Sequence, residues 1–381
     1  MNGTEEGNIK KNSFLEGRKG KRIIIAGGGT GGHIFPAVAI ANALKKADAK
    51  NEILFVGAKG KMEMEKVPQA GYKILGLDIA GFNRSSLIKN IGLPYKLAKS
   101  FFQVRQIIND FKPDAVVGVG GYSSFPVLRY AQVIGIPTFI HESNSFAGKS
   151  NILLGKKATK VFVATDGMSK FFPANKIIIT GNPIRPGIVN VSFLSKKEAL
   201  THFGLKEGKK TLLVVGGSLG ATSINEAIAT NIGLIEKYNL QLIWQTGKTN
   251  AAKWKEYAKD RTNIWASDFI TQMEFAYAAA DLVMSRAGAM SVAELCIVQK
   301  PVVFVPYPFA AEDHQTVNAK DLVQKGAACM VKDSEAKEKA IPMVIEIIQD
   351  EQQQQHLKHN ISQYAITNAD EHIAKEILDA C

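Results

Sequence analysis

The sequence predicts an α/β protein with two similar domains, on two observations. First, the β-branched residues 23–25 lead into a glycine-rich segment, residues 27–32, and then into apolar residues at helical spacing. Second, the same order returns at residues 211–215, the glycine segment 216–220 and a helical pattern through Ile228. A chain of 381 residues is long enough for two domains with separate cores.

Short apolar runs between helical patterns predict the remaining strands. They are residues 53–56, 115–119, 137–141, 161–163, 176–179, 240–244, 264–265, 281–284 and 301–305. Two prolines and two glycines within residues 180–187 interrupt any regular element, so we place the domain boundary there. The first domain then comprises residues 21–185 and the second residues 186–360.

The glycine segments follow predicted strands, and open α/β sheets collect ligands at the carboxyl ends of their strands. The turn at residues 27–32 brings backbone N–H groups to a ligand with no Cβ in the way, at the positive end of a helix. The sequence therefore predicts an anion site there, with phosphate as the favoured ligand. His33 ends this turn and is predicted to face the same cleft, while Gly120 and Gly121 form a second glycine turn.

A dinucleotide site is the main alternative for the first turn. Gly27, Gly29 and Gly32 satisfy the G-x-G-x-x-G pattern of such sites. The pattern also requires an acidic residue about 20 residues on, at the end of the second strand. That strand continues into Gly-Ala-Lys at residues 57–59, so a nicotinamide dehydrogenase is disfavoured. A purely structural turn also stays open, although such a turn does not need five glycines.

The composition, 46% hydrophobic and 22% charged with no apolar run long enough to span a membrane, is typical of a soluble globular protein. Residues 1–20 lack the apolar segment of a secretory signal and are predicted to be a disordered leader. Cys296, Cys329 and Cys381 are widely spaced and form neither a disulfide framework nor a metal-ligand pattern. They favour a reducing cytoplasm and no bound metal.

The positive charge is concentrated early in the chain. The net charge is +12, and residues 1–112 hold 19 Lys and Arg against 9 Asp and Glu. Such a face suits nucleic acid or an anionic membrane surface. Residues 85–112 alternate apolar and basic side chains, which favours the membrane, at about 1 kcal/mol per basic residue. Residues 87–93 are the membrane candidate, whereas residues 97–108 are predicted to form an amphipathic helix packed on its own domain.

Seven motifs follow one another along the chain. They are G-G-T-G-G-H-I-x-P-A from Gly28, G-G-Y-x-S from Gly120, H-E-x-N-x-x-A-G from His141, G-N-P-I-R from Gly181, G-G-S-x-G-A-x-x-I-N from Gly216, S-R-A-G-A from Ser285 and D-H-Q-x-x-N-A from Asp313. Each motif alone is weak, but seven in order at fitting positions are specific. Together they resemble the MurG family of N-acetylglucosaminyltransferases, over about residues 22–380.

The resemblance implies a GT-B architecture, in which two Rossmann-like domains with parallel sheets face each other across a cleft and a C-terminal helix, residues 361–381, joins the first domain. It implies transfer of N-acetylglucosamine, with inversion, from UDP-N-acetylglucosamine to the 4-hydroxyl of undecaprenyl-pyrophosphoryl-N-acetylmuramyl-pentapeptide. This step of peptidoglycan synthesis serves cell-wall biogenesis, cell shape and cell division, at the cytoplasmic face of the bacterial inner membrane. The implied partners are the two substrates and an anionic membrane surface, with no cofactor, metal or nucleic acid.

The family's site residues are carried over position by position. In the first domain, Thr30, Gly31 and Gly32 would contact the donor, and Tyr122 would lie on the acceptor side. The other substrate-binding positions would be Asn144, Arg185, Ser218, Ile270, Ala289, Met290, Ser291, Val292, Ala293, Glu294 and Gln315. Ser218 and the amides near Ala289 would hold the diphosphate. Ile270 would contact the uracil, Glu294 the ribose hydroxyls and Gln315 the sugar.

His33 is the predicted general base, because a helix N-terminus disfavours imidazolium and keeps the ring able to accept the proton of the acceptor hydroxyl. A role in which His33 only positions the acceptor or its diphosphate stays open. Two other functions also stay open. One is a related glycosyltransferase with a diacylglycerol acceptor, and the other is a non-catalytic protein that binds a nucleotide sugar.

Overall fold

The computed structural model describes residues 20–79, 93–310 and 313–381, and the chain divides into two compact units. The first unit comprises Met1–His141, Lys149–Val161 and Glu371–Cys381, so far as these residues are described, and the second comprises Glu142–Gly148 and Phe162–Asp370. The predicted leader, residues 1–20, and the membrane candidate, residues 87–93, lie almost wholly outside the described residues.

The strands form two sheets, one of seven strands and one of six. The strands are β1 (Arg22–Ala26), β2 (Glu52–Ala58), β3 (Lys73–Leu77), β4 (Ala115–Gly118), β5 (Thr138–Glu142), β6 (Lys160–Val163), β7 (Ile177–Ile179), β8 (Thr211–Val215), β9 (Gln241–Gln245), β10 (Ile264–Ser267), β11 (Leu282–Ser285), β12 (Val302–Phe304) and β13 (Cys329–Met330). Their orders are β3-β2-β1-β4-β5-β6-β7 and β10-β9-β8-β11-β12-β13. The pairs from β3 to β5, and all pairs of the second sheet, are parallel.

Helices lie between most successive strands, as parallel pairing requires, and further helices follow the last strand. They are α1 (Gly31–Ala47), α2 (Glu63–Gln69), α3 (Leu93–Phe111), α4 (Ser124–Val133), α5 (Lys149–Gly155), α6 (Pro186–Val189), α7 (Lys196–His202), α8 (Thr222–Thr230), α9 (Ile232–Lys237), α10 (Ala251–Glu256), α11 (Met273–Ala279), α12 (Ala289–Val298), α13 (His314–Gln324), α14 (Ala336–Gln349), α15 (Glu351–Ser362) and α16 (Ala369–Leu378). Among the described residues, no helix combines the length and the apolar character that a membrane span needs.

The predicted α/β class is confirmed, and every strand predicted from an apolar run is present. Ile23, Ile24 and Ile25 in β1 are completely buried, because a parallel strand covered on both faces needs apolar side chains at successive positions. Strands β3 and β13 were not predicted. Strand β3 lies at the sheet edge and alternates exposed with half-buried residues, and β13 has only two residues, so neither forms a continuous apolar run.

The strand order of each sheet reverses beside its first strand along the chain. Strand β1 lies between β2 and β4, and β8 lies between β9 and β11. At such a reversal the connections on either side leave in opposite directions, and the carboxyl ends of the two strands border a crevice. The glycine motifs at residues 27–32, 120–121 and 216–220 directly follow β1, β4 and β8, and therefore occupy these two positions.

Helix α3 is amphipathic and packs on α4 of its own unit, as predicted for residues 97–108. Val104 and Ile108 are 1% and 3% exposed, whereas Tyr95 and Phe102 on the outer side are both 73% exposed. The exposed aromatic rings belong to the same basic segment of the sequence that suggested a membrane surface.

Residues after the second unit complete the first. Ile373 and Ile377 of α16 are fully buried, and Glu371 and Glu376 form ion pairs of 2.7 and 2.5 Å with Lys46 and Lys160. The Lys21 ammonium donates to the Cys381 carbonyl at 2.9 Å. The first unit is thus assembled from segments that lie far apart in the sequence.

Asp78 follows β3 and contacts α3 through an ion pair that depends on pH. Its carboxylate lies 2.9 Å from Lys99 Nζ and 3.0 Å from Lys59 Nζ, and hydrogen bonds from these lysines lower its pKa from 3.8 to about 2. Because the folded pKa is below the unfolded one, this contribution to stability is present above pH 3.8 and is lost as the pH falls towards about 2. We expect a modest loss of amide-exchange protection in α3 over that interval.

The matched variant Asp78→Asn should start with the lower protection and show no change across the same interval. Equal pH dependence in the two proteins, after correction for intrinsic exchange rates, would contradict the assignment to Asp78.

Candidate active site

The glycine turn after β1 has an unusual backbone whose first N–H groups are used internally. Gly27, Gly28 and Gly29 have φ values of +150°, +144° and +90°, a region that favours glycine. Their N–H groups donate to Val56 O at 3.1 Å, Gly120 O at 3.2 Å and Glu63 Oε2 at 2.7 Å, respectively. These three donors hold the turn in place, so they do not form the predicted anion site.

The donors that the turn leaves unused come from the start of α1. Within the described part of the chain, the amides of Gly31 and Gly32 donate no hydrogen bond, as is usual in a first helical turn. Thr30 precedes them, is exposed and does not cap the helix with its side chain. The structure therefore brings the three predicted positions Thr30, Gly31 and Gly32 together at the positive end of a 17-residue helix.

The second glycine turn packs directly on the first. A Cβ on Gly121 would lie 2.5 Å from Gly28 O, and a Cβ on Gly120 would lie 2.8 Å from His33 Nε2. Both glycines also have positive φ values, +93° and +89° for Gly120 and Gly121. Only glycine fits at this contact, which places the 54% exposed Tyr122 beside the same crevice.

The ring of His33 is oriented by the first turn. Its Nδ1 lies 3.0 Å from the Gly28 carbonyl oxygen, which can only accept a hydrogen bond. The proton of the neutral ring is therefore on Nδ1, and Nε2 is the basic nitrogen. A half-buried histidine held in this tautomer has the proton arrangement that a general base requires.

The predicted residues of the second unit gather at one edge of its sheet. Ser218 follows β8, Ile270 follows β10, Ala289 begins α12 after β11, and Gln315 lies in α13 after β12. Since the strands are parallel, these residues all lie at carboxyl ends. Met290, Ser291, Val292 and Ala293 are half-buried in the first turns of α12.

A second loop supports the turn that carries Ser218. Lys248 donates its N–H to the Ser218 carbonyl at 3.2 Å. Below it, the buried Asn225 donates to the Thr246 carbonyl at 2.8 Å and accepts from the Trp244 indole at 2.9 Å. The exposed Ser218 is thus held on a rigid base of buried hydrogen bonds.

Glu294 joins two other side chains of the second unit. One carboxylate oxygen lies 3.1 Å from Arg185 Nη2, and the other accepts from the Tyr277 hydroxyl at 3.0 Å. Glu294 is 9% exposed and Tyr277 is 2% exposed. Burial, and then the neighbouring Glu294 charge, raise the pKa of Tyr277 well above its usual 10. Each carboxylate oxygen keeps a second lone pair, so Glu294 is oriented by these contacts and can still accept further hydrogen bonds.

Ile270 and Gln315 are held by protein groups. The Ile270 N–H donates to Gln245 Oε1 at 3.2 Å, and Gln315 Oε1 accepts from the Tyr307 N–H at 3.0 Å. A ligand contact with the Ile270 backbone therefore has to use its carbonyl.

Asn144 lies in a loop fixed by the buried Glu142. Its backbone and side-chain N–H groups lie 3.1 and 3.3 Å from Glu142 Oε1. Asn182 connects this loop to the start of α12 by donating to Ser143 O at 3.1 Å and Ala289 O at 3.5 Å. A cavity of about 350 Å³ lies here, and its lining includes Ala289 and Asn182.

Three buried polar residues of the site were not predicted from the sequence: Glu63, Gln245 and Tyr277. Their types and spacing resemble those of surface residues, and only their partners in the fold reveal their positions. In the residues that the structure describes, no three His, Cys, Asp or Glu side chains are grouped so that they could hold a metal ion.

Comparisons with known proteins agree with this geometry. The glycosyltransferase family 28 N-terminal domain matches residues 23–163, and the family 28 C-terminal domain matches residues 211–377. The UDP-N-acetylglucosamine--N-acetylmuramyl-(pentapeptide) pyrophosphoryl-undecaprenol N-acetylglucosamine transferase of Phocaeicola vulgatus is 51% identical over 359 residues, covering 93% of this chain and 95% of that relative. The same-named protein of Parabacteroides distasonis is 51% identical, covering 94% and 97%. The crystal structure of Acinetobacter baumannii MurG is similar with a TM-score of 0.77 at 30% identity, covering 94% of this chain and 99% of that one.

Gly247 should tolerate no side chain. Its φ is +75°, and a Cβ would lie 2.0 Å from the backbone nitrogen of Gly220. Gly208 is a matched control, since its φ is +79° but nothing lies within 4 Å of its Cβ position. We expect Gly208→Ala to cost about 1 to 2 kcal/mol from backbone strain alone and Gly247→Ala clearly more, measured by urea unfolding. Equal losses would contradict the close contact.

Tyr277→Phe should leave Glu294 without one of its donors. We expect a loss of about 1.5 to 3 kcal/mol in the free energy of unfolding near neutral pH. Because the folded pKa of Tyr277 is raised, its contribution is full below pH 10 and declines as the pH rises further. The difference between the wild type and the variant should therefore narrow above pH 10. If the difference in the free energy of unfolding stayed constant above pH 10, the raised pKa of the Tyr277 hydroxyl would be contradicted.

Proposed function

The chain belongs to the MurG family within glycosyltransferase family 28, and on that premise we propose that it transfers N-acetylglucosamine from UDP-N-acetylglucosamine to undecaprenyl-pyrophosphoryl-N-acetylmuramyl-pentapeptide in peptidoglycan synthesis. The observation that carries the proposal is the 51% identity with named transferases of this kind over nearly their whole length. The protein is an enzyme, a hexosyltransferase with the GT-B architecture that the resemblance implied.

The donor binds the second unit, at the carboxyl ends of its strands. The first turn of α12 begins at Ala289 and supplies N–H groups at a positive helix end, which stabilise the negative charge of a diphosphate. Ser218 reaches the same phosphates, and Gln315 meets the sugar hydroxyls. The Ile270 carbonyl accepts from the N3–H of uracil, because the Ile270 N–H is already bound to Gln245.

The ribose of the donor is held by Glu294. Its carboxylate accepts from the two ribose hydroxyls through the lone pairs that Arg185 and Tyr277 leave available. Asn144 and the remaining residues of the first turns of α12, Met290 to Ala293, complete the proposed substrate contacts.

The acceptor binds the first unit, beside Tyr122 and the glycine turns, and Thr30, Gly31 and Gly32 contact the donor from there. His33 Nε2 takes the proton of the muramyl 4-hydroxyl as its oxygen attacks C1 of N-acetylglucosamine on the face opposite the departing UDP. The C1–oxygen bond to the acceptor forms as the bond to UDP breaks, so the configuration inverts. Support comes from the Nδ1 contact with Gly28, which leaves Nε2 as the basic nitrogen.

The proposed location is the cytoplasmic face of the bacterial inner membrane, where the enzyme is peripheral. Residues 1–112 hold 19 Lys and Arg against 9 Asp and Glu, which supports attraction to an anionic surface. The alternation of apolar and basic side chains over residues 85–112 favours a membrane over nucleic acid as that surface. For function, we retain the division into residues 21–185 with 361–381 on the acceptor side and residues 186–360 on the donor side.

Labelled UDP-N-acetylglucosamine and a soluble analogue of the lipid acceptor test the activity. We expect a disaccharide product and an equal amount of UDP with the muramyl acceptor, and neither with diacylglycerol. Product with diacylglycerol alone would favour the related glycosyltransferase. Binding of the nucleotide sugar without release of UDP would favour a non-catalytic protein.

His33→Ala tests the general base. We expect kcat to fall by roughly 10²- to 10⁴-fold and the acidic limb of its pH profile to disappear, because no other group takes the proton. His359→Ala, on the exposed side of α15, serves as the control and should retain wild-type turnover. Near-normal turnover of His33→Ala with an unchanged pH profile would contradict the assignment of His33 as the general base.

A further inference from the structure

Glu63 is a buried carboxylate that lies under the first glycine turn. Its side chain is 1% exposed, and its two oxygens accept from the Gly29 N–H at 2.7 Å and from the Ala58 N–H at 3.0 Å. Over residues 20–79, 93–310 and 313–381, no lysine, arginine or histidine forms an ion pair with it. Keeping a carboxylate away from water costs free energy, and hydrogen bonds from two backbone N–H groups offset that cost here.

A single peptide group connects Glu63 to His33. The bond between Gly28 and Gly29 is trans, so its N–H and carbonyl point in opposite directions. The N–H donates to Glu63, and the carbonyl accepts from His33 Nδ1 at 3.0 Å. Hydrogen bonds at the two ends of one amide polarise each other, so the carboxylate strengthens the acceptor that His33 uses.

The local sequence provides the space for this carboxylate. A Cβ on Gly28 would lie 2.3 Å from Glu63 Cδ, and a Cβ on Gly57 would lie 2.5 Å from Glu63 Cγ. Gly28 and Gly29 also need the positive φ values that turn their shared peptide toward Glu63. Three glycines thus accommodate one acidic side chain.

We propose that Glu63 is a positioning residue for His33. It fixes the Gly28–Gly29 peptide so that His33 carries its proton on Nδ1 and presents Nε2 as the base. The inference rests on the proposed function, since it assigns a purpose to the ring orientation of His33. It differs from a general structural role, in which Glu63 would stabilise the turn without affecting the tautomer of the ring.

Glu63→Gln is the test, with Glu65→Gln on the exposed side of the same helix as the matched control. The glutamine keeps one acceptor but places an amide NH₂ against the second backbone donor. We expect kcat to fall roughly 10- to 100-fold, with the KM for UDP-N-acetylglucosamine nearly unchanged. In a His33→Ala background the same substitution should have no further effect. The proposal would be overturned if Glu63→Gln lowered kcat by the same factor in the His33→Ala background as in the wild type. It would also be overturned if Glu63→Gln raised only KM.

Gly57→Ala provides a second variant that displaces Glu63 without removing its charge, and it should reproduce the loss of kcat. Nitrogen-15 spectra of the labelled histidines provide a readout independent of activity, with the His33 signal assigned from His33→Ala. We expect a single Nδ1–H tautomer in the wild type and a mixture in Glu63→Gln. An unchanged tautomer would overturn the proposal, whereas a wild type with the expected tautomer but no transfer would instead refute the proposed function.

Discussion

Close contact between backbones at the carboxyl ends of the strands is the constraint on which the candidate site depends. In the first unit the contact joins Gly28 to Gly120 and Gly121, and in the second it joins Gly220 to Gly247. In the first unit the contact uses the Gly28 N–H, which donates to Gly120 O at 3.2 Å. The groups left for substrate are those at the starts of helices, where the dipole adds to their effect on anions. The glycines thus support the starts of the helices to which we assign the substrate contacts.

Around this framework, buried polar side chains set the orientation of the residues that we propose to bind substrate. Glu142 fixes the loop of Asn144, Asn225 supports the turn of Ser218, and Tyr277 with Arg185 orients Glu294. Each of these groups has its partners within the fold before any substrate arrives. Because the groups are already ordered, little side-chain entropy remains to be lost on binding.

The sequence was informative where one physical cause dominates. Buried parallel strands require continuous apolar runs, and ligand turns at strand ends require glycine, so the class, most strands and the glycine segments were predictable. It was uninformative where a residue depends on distant partners. Glu63 lies in the run Met-Glu-Met-Glu-Lys, which is typical of an exposed helix. It is nevertheless completely buried under a turn that ends more than thirty positions earlier in the sequence. No local pattern distinguishes Glu63 from Glu65, since only the space left by Gly28 and Gly57 does so.

The ion pairs that α16 makes with Lys46 and Lys160 also bear on the order of folding during synthesis. Residues 371–381 emerge from the ribosome after all of the second unit, although they belong to the first. The nascent first unit is therefore incomplete while the second is translated. During that time, the surface that later covers Ile373 and Ile377 stays exposed to solvent. Such an interval exposes apolar surface to chaperones and to aggregation, so the rate of translation through the second unit bears on the yield of folded enzyme.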